Sequence, residues 1–96
     1  MFYKRFIKEC IRRHSKELEH GAKLVMKAQR FEEIGSNEKA IKCYKSAKKM
    51  FNEAKMFAEF IGDKGYKAEA ELLIKKVDEQ MNKTIFKDFY CGGISH

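Results

Sequence analysis

Apolar residues recur at three- and four-residue steps along almost the whole chain, and their phase divides it into three helical stretches. The middle of the pattern, LVMKAQRFEEIGSNEKAIKCYKSA from Leu24 to Ala47, reads as two amphipathic helices folded back on each other at Gly35. Leu24, Val25, Ala28, Phe31 and Ile34 mark the stripe before the glycine. Ala40, Ile41, Tyr44, Ala47, Phe51, Ala54, Ala58 and Ile61 mark it afterwards. Gly35 follows the last apolar residue of its helix, where a left-handed backbone suits glycine alone. Ser36 or Asn37 can cap the next helix, and Glu38 sits in its first turn, where the helix dipole favours a carboxylate. So short a linker joins only an antiparallel pair. The small side chains of Ala28, Ala40 and Ala47 let the backbones approach, with Phe31 and Tyr44 filling the space between.

The stripe continues on both sides of this hairpin. Phe2 or Tyr3, Phe6 or Ile7, Cys10 or Ile11, His14 and Leu18 run in phase into Val25 and Ile34, which predicts one helix over about 2–34, roughly 50 Å long at 1.5 Å per residue. Gly21 costs about 1 kcal/mol against alanine inside that helix; a break there, giving a four-helix bundle, is the alternative. The second helix is expected over about 37–61, so the first eight or so residues of the first helix overhang it. Cys43, Met50 and Phe57 flank the main stripe of the second helix seven residues apart, which suits a central helix touching both neighbours. Asp63 is the expected cap of a third helix through Tyr66, Ala70, Leu73, Ile74, Val77 and Met81. Thr84, Ile85 and Phe89 extend its phase to about Tyr90, with Gly92 and Gly93 as its stop and a frayed Ile94-Ser95-His96 beyond.

Ala28, Gly35, Ala40, Tyr44 and Ala47 match the small, turn and aromatic positions of a tetratricopeptide-type repeat. The unbroken second helix, the Gly62-Asp63-Lys64 turn and a single third helix resemble instead a microtubule-interacting and trafficking (MIT) domain, over about Gly21 to Lys83. That resemblance implies a three-helix bundle that binds tail motifs of ESCRT-III filament subunits, between the second and third helices or between the first and third. Carried onto this chain, the former groove would use Met50, Ala54, Phe57, Leu72, Ile74 and Met81, with Asp78 receiving a basic residue of the peptide. The family's Leu-Asp-Arg-Ala-Glu-like run is here Val77, Asp78, Glu79, Gln80 and Met81, so only the apolar residue and the aspartate match.

Ninety-six residues without proline suit one all-α domain spanning 1–96, with short turns and a modest core. No run is apolar enough to cross a membrane, and the charged N-terminal stretch does not read as a secretory signal. Cys10, Cys43 and Cys91 are an odd number without framework spacing, which points to reduced thiols and a cytoplasmic setting, with contact at a membrane periphery as an addition. Cys10 and His14, one turn apart, supply two metal ligands at most and no second pair accompanies them, so neither a metal nor another cofactor is expected; a half-buried cysteine beside a surface histidine is the plainer reading.

The formal net charge is +7, and Lys4, Arg5, Lys8, Arg12, Arg13 and Lys16 face only Glu9 in the first sixteen residues. Beside Phe2, Phe6 and Ile7, such a helix can lie on an anionic membrane or grip nucleic-acid phosphates without reading sequence; a solvated face is the alternative. The overhanging helix, or the tail with Ile85, Phe86, Phe89 and Tyr90, could equally serve a homodimer. His14, His20 and His96 and the acidic pairs Glu17/Glu19, Glu32/Glu33 and Glu69/Glu71 form no pocketed acid, base or nucleophile, so no enzyme is expected. The expectation is therefore a three-helix antiparallel bundle acting as a non-catalytic protein-interaction module for an amphipathic peptide or helix. A basic, self-associating bundle on anionic membrane or nucleic acid is the second reading.

Overall fold

The computed structural model describes the backbone of residues 2–94 and the side chains of residues 4–87. Three helices follow one another, α1 (Phe2–Glu33), α2 (Asn37–Ile61) and α3 (Lys64–Ile94). They form an all-α antiparallel bundle with principal extents of 65 × 19 × 13 Å.

Both turns are made the same way. Gly35, at φ 81°, and Gly62, at φ 71°, adopt the left-handed backbone that lets a helix end abruptly. At the first, Gly35 N–H donates to the Glu32 carbonyl at 3.0 Å and Ser36 N–H to that of Phe31 at 2.8 Å. At the second, Gly62 N–H donates to Glu59 at 3.1 Å and Asp63 N–H to Ala58 at 3.0 Å. These paired bonds satisfy carbonyls that the helix end would otherwise leave open. Asp63 caps α3 as expected, its Oδ1 accepting from Tyr66 N–H at 2.9 Å. Ser36 occupies the cap position of α2 but makes no side-chain cap bond.

Alanines let α2 sit at the centre. Ala40, Ala47, Ala54 and Ala58 are all completely buried, and the core joins Ala28 of α1 to Tyr44 and Phe51 of α2 and Val77 of α3. Cys43, Met50 and Phe57 are half-buried along α2. α1 passes through Gly21 without a break, against the four-helix alternative. The reason is tertiary: Gly21 is buried, and a methyl group there would overlap the Phe51 ring. α3 likewise runs through Gly92 and Gly93 to Ile94 instead of stopping, because glycine in a helix costs only about 1 kcal/mol and forces no turn.

α1 and α3 run parallel but staggered. Tyr66 lies level with His14, and Thr84 with Glu32. By that register α3 begins about ten residues, or about 15 Å, after α1. Level with Ala54 through His14, α1 outruns the end of α2 by about one and a half turns, a shorter overhang than the eight or so residues expected. Phe2, Tyr3, Phe89, Tyr90 and Cys91 have side chains outside the described set, and Ser95 and His96 lie outside it altogether.

Candidate functional site

Between α1 and α3 the bundle opens into a groove of about 310 Å³ above α2. Leu18, Ala22, Val25 and Gln29 form one wall, and Leu73, Lys76, Val77 and Gln80 the other. Tyr44 and Phe51 make the floor. The helical step explains the wall: residues 18, 22, 25 and 29 fall on one face of α1. Ala22, exposed between two larger side chains, widens the opening.

Side-chain bridges between α1 and α3 close both ends. At one end the His14 ring stacks on Tyr66, centroids 4.8 Å apart at 27°. His14 is 1% exposed, and its Nδ1–H donates to the Ala54 carbonyl at 2.9 Å; since a carbonyl only accepts, Nδ1 carries the proton. Nε2 is left buried without a partner. His14 is therefore a core residue and not the surface histidine that its charged neighbours suggested. Cys10 is buried too, and no group of three metal-ligating side chains occurs among the described residues. At the other end Thr84 Oγ1 lies within hydrogen-bond reach of the Glu32 carboxylate and, at 3.0 Å, of the Gln80 carbonyl. Its single proton serves one of them at a time.

The floor is chemically uneven. Tyr44 is fully buried, yet its hydroxyl has no hydrogen-bond partner although Glu32 and Gln80 lie beside it. Burial first, and then the Glu32 carboxylate, push the phenol pKa above its ordinary value. The phenol is thus a neutral donor at any physiological pH, and among the described residues Lys76 is the one charged side chain lining the groove.

The residues expected for a groove between α2 and α3 are placed differently. Ala54 is fully buried and turns its carbonyl to His14, while Met50 and Phe57 are half-buried on the flank of α2. Ile74 and Met81 pack against the core, whereas Leu72 is 51% exposed. Asp78, the expected receptor for a basic peptide residue, holds Lys48 of its own chain at 2.9 Å, and Lys55 stands 3.9 Å from Glu71 on the same seam. Such half-exposed pairs contribute little energy, but they tie the two helices together along the line a ligand would follow.

The basic surface is present on α1, with Lys4, Arg5, Lys8 and Lys16 exposed. Arg12 and Arg13 converge on Glu9 at 2.6 and 3.0 Å. Hydrogen bonds from Arg12 and then Arg13 pull the Glu9 pKa down to about 2. Further along, burial and the neighbouring Glu53 carboxyl push Glu17 up, against the pull of His20 and Arg13. No helix among the described residues is long and apolar enough to cross a membrane. Compared with protein-family models, curated proteins and solved structures, the chain finds no match.

Leu18, Ala22, Leu73, Lys76 and Gln80 were not singled out as groove residues by sequence. The available signal was uncharged Ala22, Gln29 and Gln80 bordering the apolar stripes.

Proposed function

We propose that the chain is a non-catalytic protein-interaction module that receives an amphipathic helix in the groove between α1 and α3. The observation that carries this reading is the groove itself: open along its length, mainly apolar on walls and floor, and held at both ends by side-chain bridges. Grooves between helices take the apolar face of an incoming helix, leaving its polar face to solvent. The distance between the bridges, eighteen residues of α1, corresponds to about 27 Å, or about five turns of a bound helix. Lys76 favours an acidic residue on the occupant's rim. The resemblance of the sequence to MIT domains is what suggests a tail peptide as the occupant.

The test is an NMR titration of the isotope-labelled protein with amphipathic peptides of about five helical turns, carrying acidic, uncharged or basic polar faces. The proposal expects shifts at Ala22, Val25, Leu73 and Gln80, strongest with the acidic face. Shifts confined to Ile74, Asp78 and Ala54 would move the site to the α2–α3 seam. Silence with every peptide would remove the reading.

A further inference from the structure

A second surface lies away from the groove, at the end of the bundle where α1 and α3 begin. Phe6 is 46% exposed, Met56 49% and Phe60 65%. Met56 and Phe60 stand one turn apart on the outer face of α2. The register that pairs His14 with Ala54 brings residue 6 to the level of the Gly62 turn, so Phe6 and Phe60 stand at one pole of the molecule and Met56 about 9 Å below that turn. Around them Lys4, Arg5 and Lys8 are exposed. Glu9, the carboxylate among them on α1, is already held by Arg12 and Arg13; exposed Glu59 and half-buried Asp63 stand beside Phe60 and the Gly62 turn, and the α1 side of the pole keeps the excess of cations. α1 and α3 direct the positive ends of their helix dipoles towards this pole and α2 its negative end, so the net dipole there is that of about one helix N-terminus.

We propose that this pole docks on an anionic lipid bilayer, with Phe6, Met56 and Phe60 entering the boundary between headgroups and acyl chains while Lys4, Arg5 and Lys8 meet the lipid phosphates and carboxylates. Two other occupants fit less well. A second copy would bring positive pole against positive pole. It would also gain too little, because the exposed parts of three such side chains amount to roughly 300 Å², against about 800 Å² per partner in a stable interface. A nucleic acid would reward the cations and leave Met56 in water, whereas a bilayer boundary rewards both kinds of side chain.

Flotation with vesicles of phosphatidylcholine alone, or with roughly one-third phosphatidylserine, tests this directly. The proposal expects anionic vesicles to bind about tenfold or more tightly than neutral ones, with loss of binding in high salt. The pair Phe6→Ser and Phe60→Ser, and separately Lys4→Glu with Arg5→Glu, should each weaken vesicle binding about fivefold or more. Lys4 and Arg5 are exposed, so the charge pair should leave the melting curve in place, while the half-exposed Phe6 and Phe60 should lower it by no more than a few degrees. Ala22→Arg, in the groove, should leave vesicle binding unchanged, so this proposal and the groove reading stand or fall separately. Vesicle binding that ignores Phe6→Ser and Phe60→Ser would overturn it, as would capture of a single-stranded oligonucleotide with no vesicle binding at all.

Discussion

Replacing Gly21 by alanine sets two sizeable effects against each other. Alanine in place of glycine inside a helix contributes about 1 kcal/mol of stability, and on a solvent-facing position that would be the outcome. Gly21 instead faces Phe51, whose Cδ1 and Cζ atoms would lie 2.8 Å from the added carbon, well inside van der Waals contact. Phe51 is 2% exposed, so the ring must turn off its rotamer or push α1 away from α2. Overpacking of this kind costs about 1–3 kcal/mol. An overlap with a rigid ring falls in the upper part of that range, so Gly21→Ala is expected to lose about 1–2 kcal/mol net. For a chain of this size that lowers the melting temperature by about 4–15 °C. Thermal unfolding followed by far-ultraviolet circular dichroism measures it. Phe51→Leu costs stability by itself, yet Gly21→Ala made in that background should be neutral or stabilising, because the clash is gone; the double-mutant cycle isolates the coupling. The displaced ring would move towards the groove it floors, so peptide binding should weaken together with stability. If Gly21→Ala raises the melting temperature in the native background, the reasoning about this contact is wrong.

Three further outcomes follow from the geometry of the bundle. His14→Ala removes the bond to the Ala54 carbonyl and the stack on Tyr66, and should cost about 2–4 kcal/mol in urea unfolding; an effect below about half a kcal/mol would place His14 on the surface. Glu17 has its folded-state pKa raised above the ordinary 4.5, so its contact with Glu53 is strongest in acid and weakens as pH rises through that raised pKa. Glu17→Gln should therefore raise the melting temperature near pH 7 and change little near about pH 4, and equal effects at both would refute the pairing. Asp63→Ala removes the cap on Tyr66 N–H and should cost about 1 kcal/mol, with faster amide exchange confined to the first turn of α3.

Much of the bundle could be read from local chemistry. Gly35 and Gly62 mark their turns because the left-handed backbone is a property of one residue, and Asp63 marks a cap for the same reason. The helical phases follow from side-chain spacing, as the central position of α2 follows from its alanines and wide apolar face. Gly21 was legible as a local cost only, since the ring that requires it lies thirty residues away in sequence. His14 stands among arginines and a lysine, yet its burial is decided by the register between α1 and α2. Gly92 and Gly93 permit a stop without imposing one. The position of the groove was the least accessible feature. Stripes identify the faces of helices that are buried, but the splay between α1 and α3 depends on how His14 meets Tyr66 and Glu32 meets Thr84. Both contacts join residues fifty-two positions apart, and neither leaves a periodic trace.

The central claim is that an amphipathic helix occupies the groove above Tyr44 and Phe51. Fluorescence anisotropy with a labelled acidic amphipathic peptide, comparing the native chain with Ala22→Arg, tests it most directly. Ala22 lines the groove yet is exposed, so arginine can obstruct the opening without disturbing the core. The account predicts that the native chain binds and that Ala22→Arg loses about tenfold or more in affinity, about 1.4 kcal/mol, with an unchanged melting temperature. Equal affinity for the two proteins would contradict it.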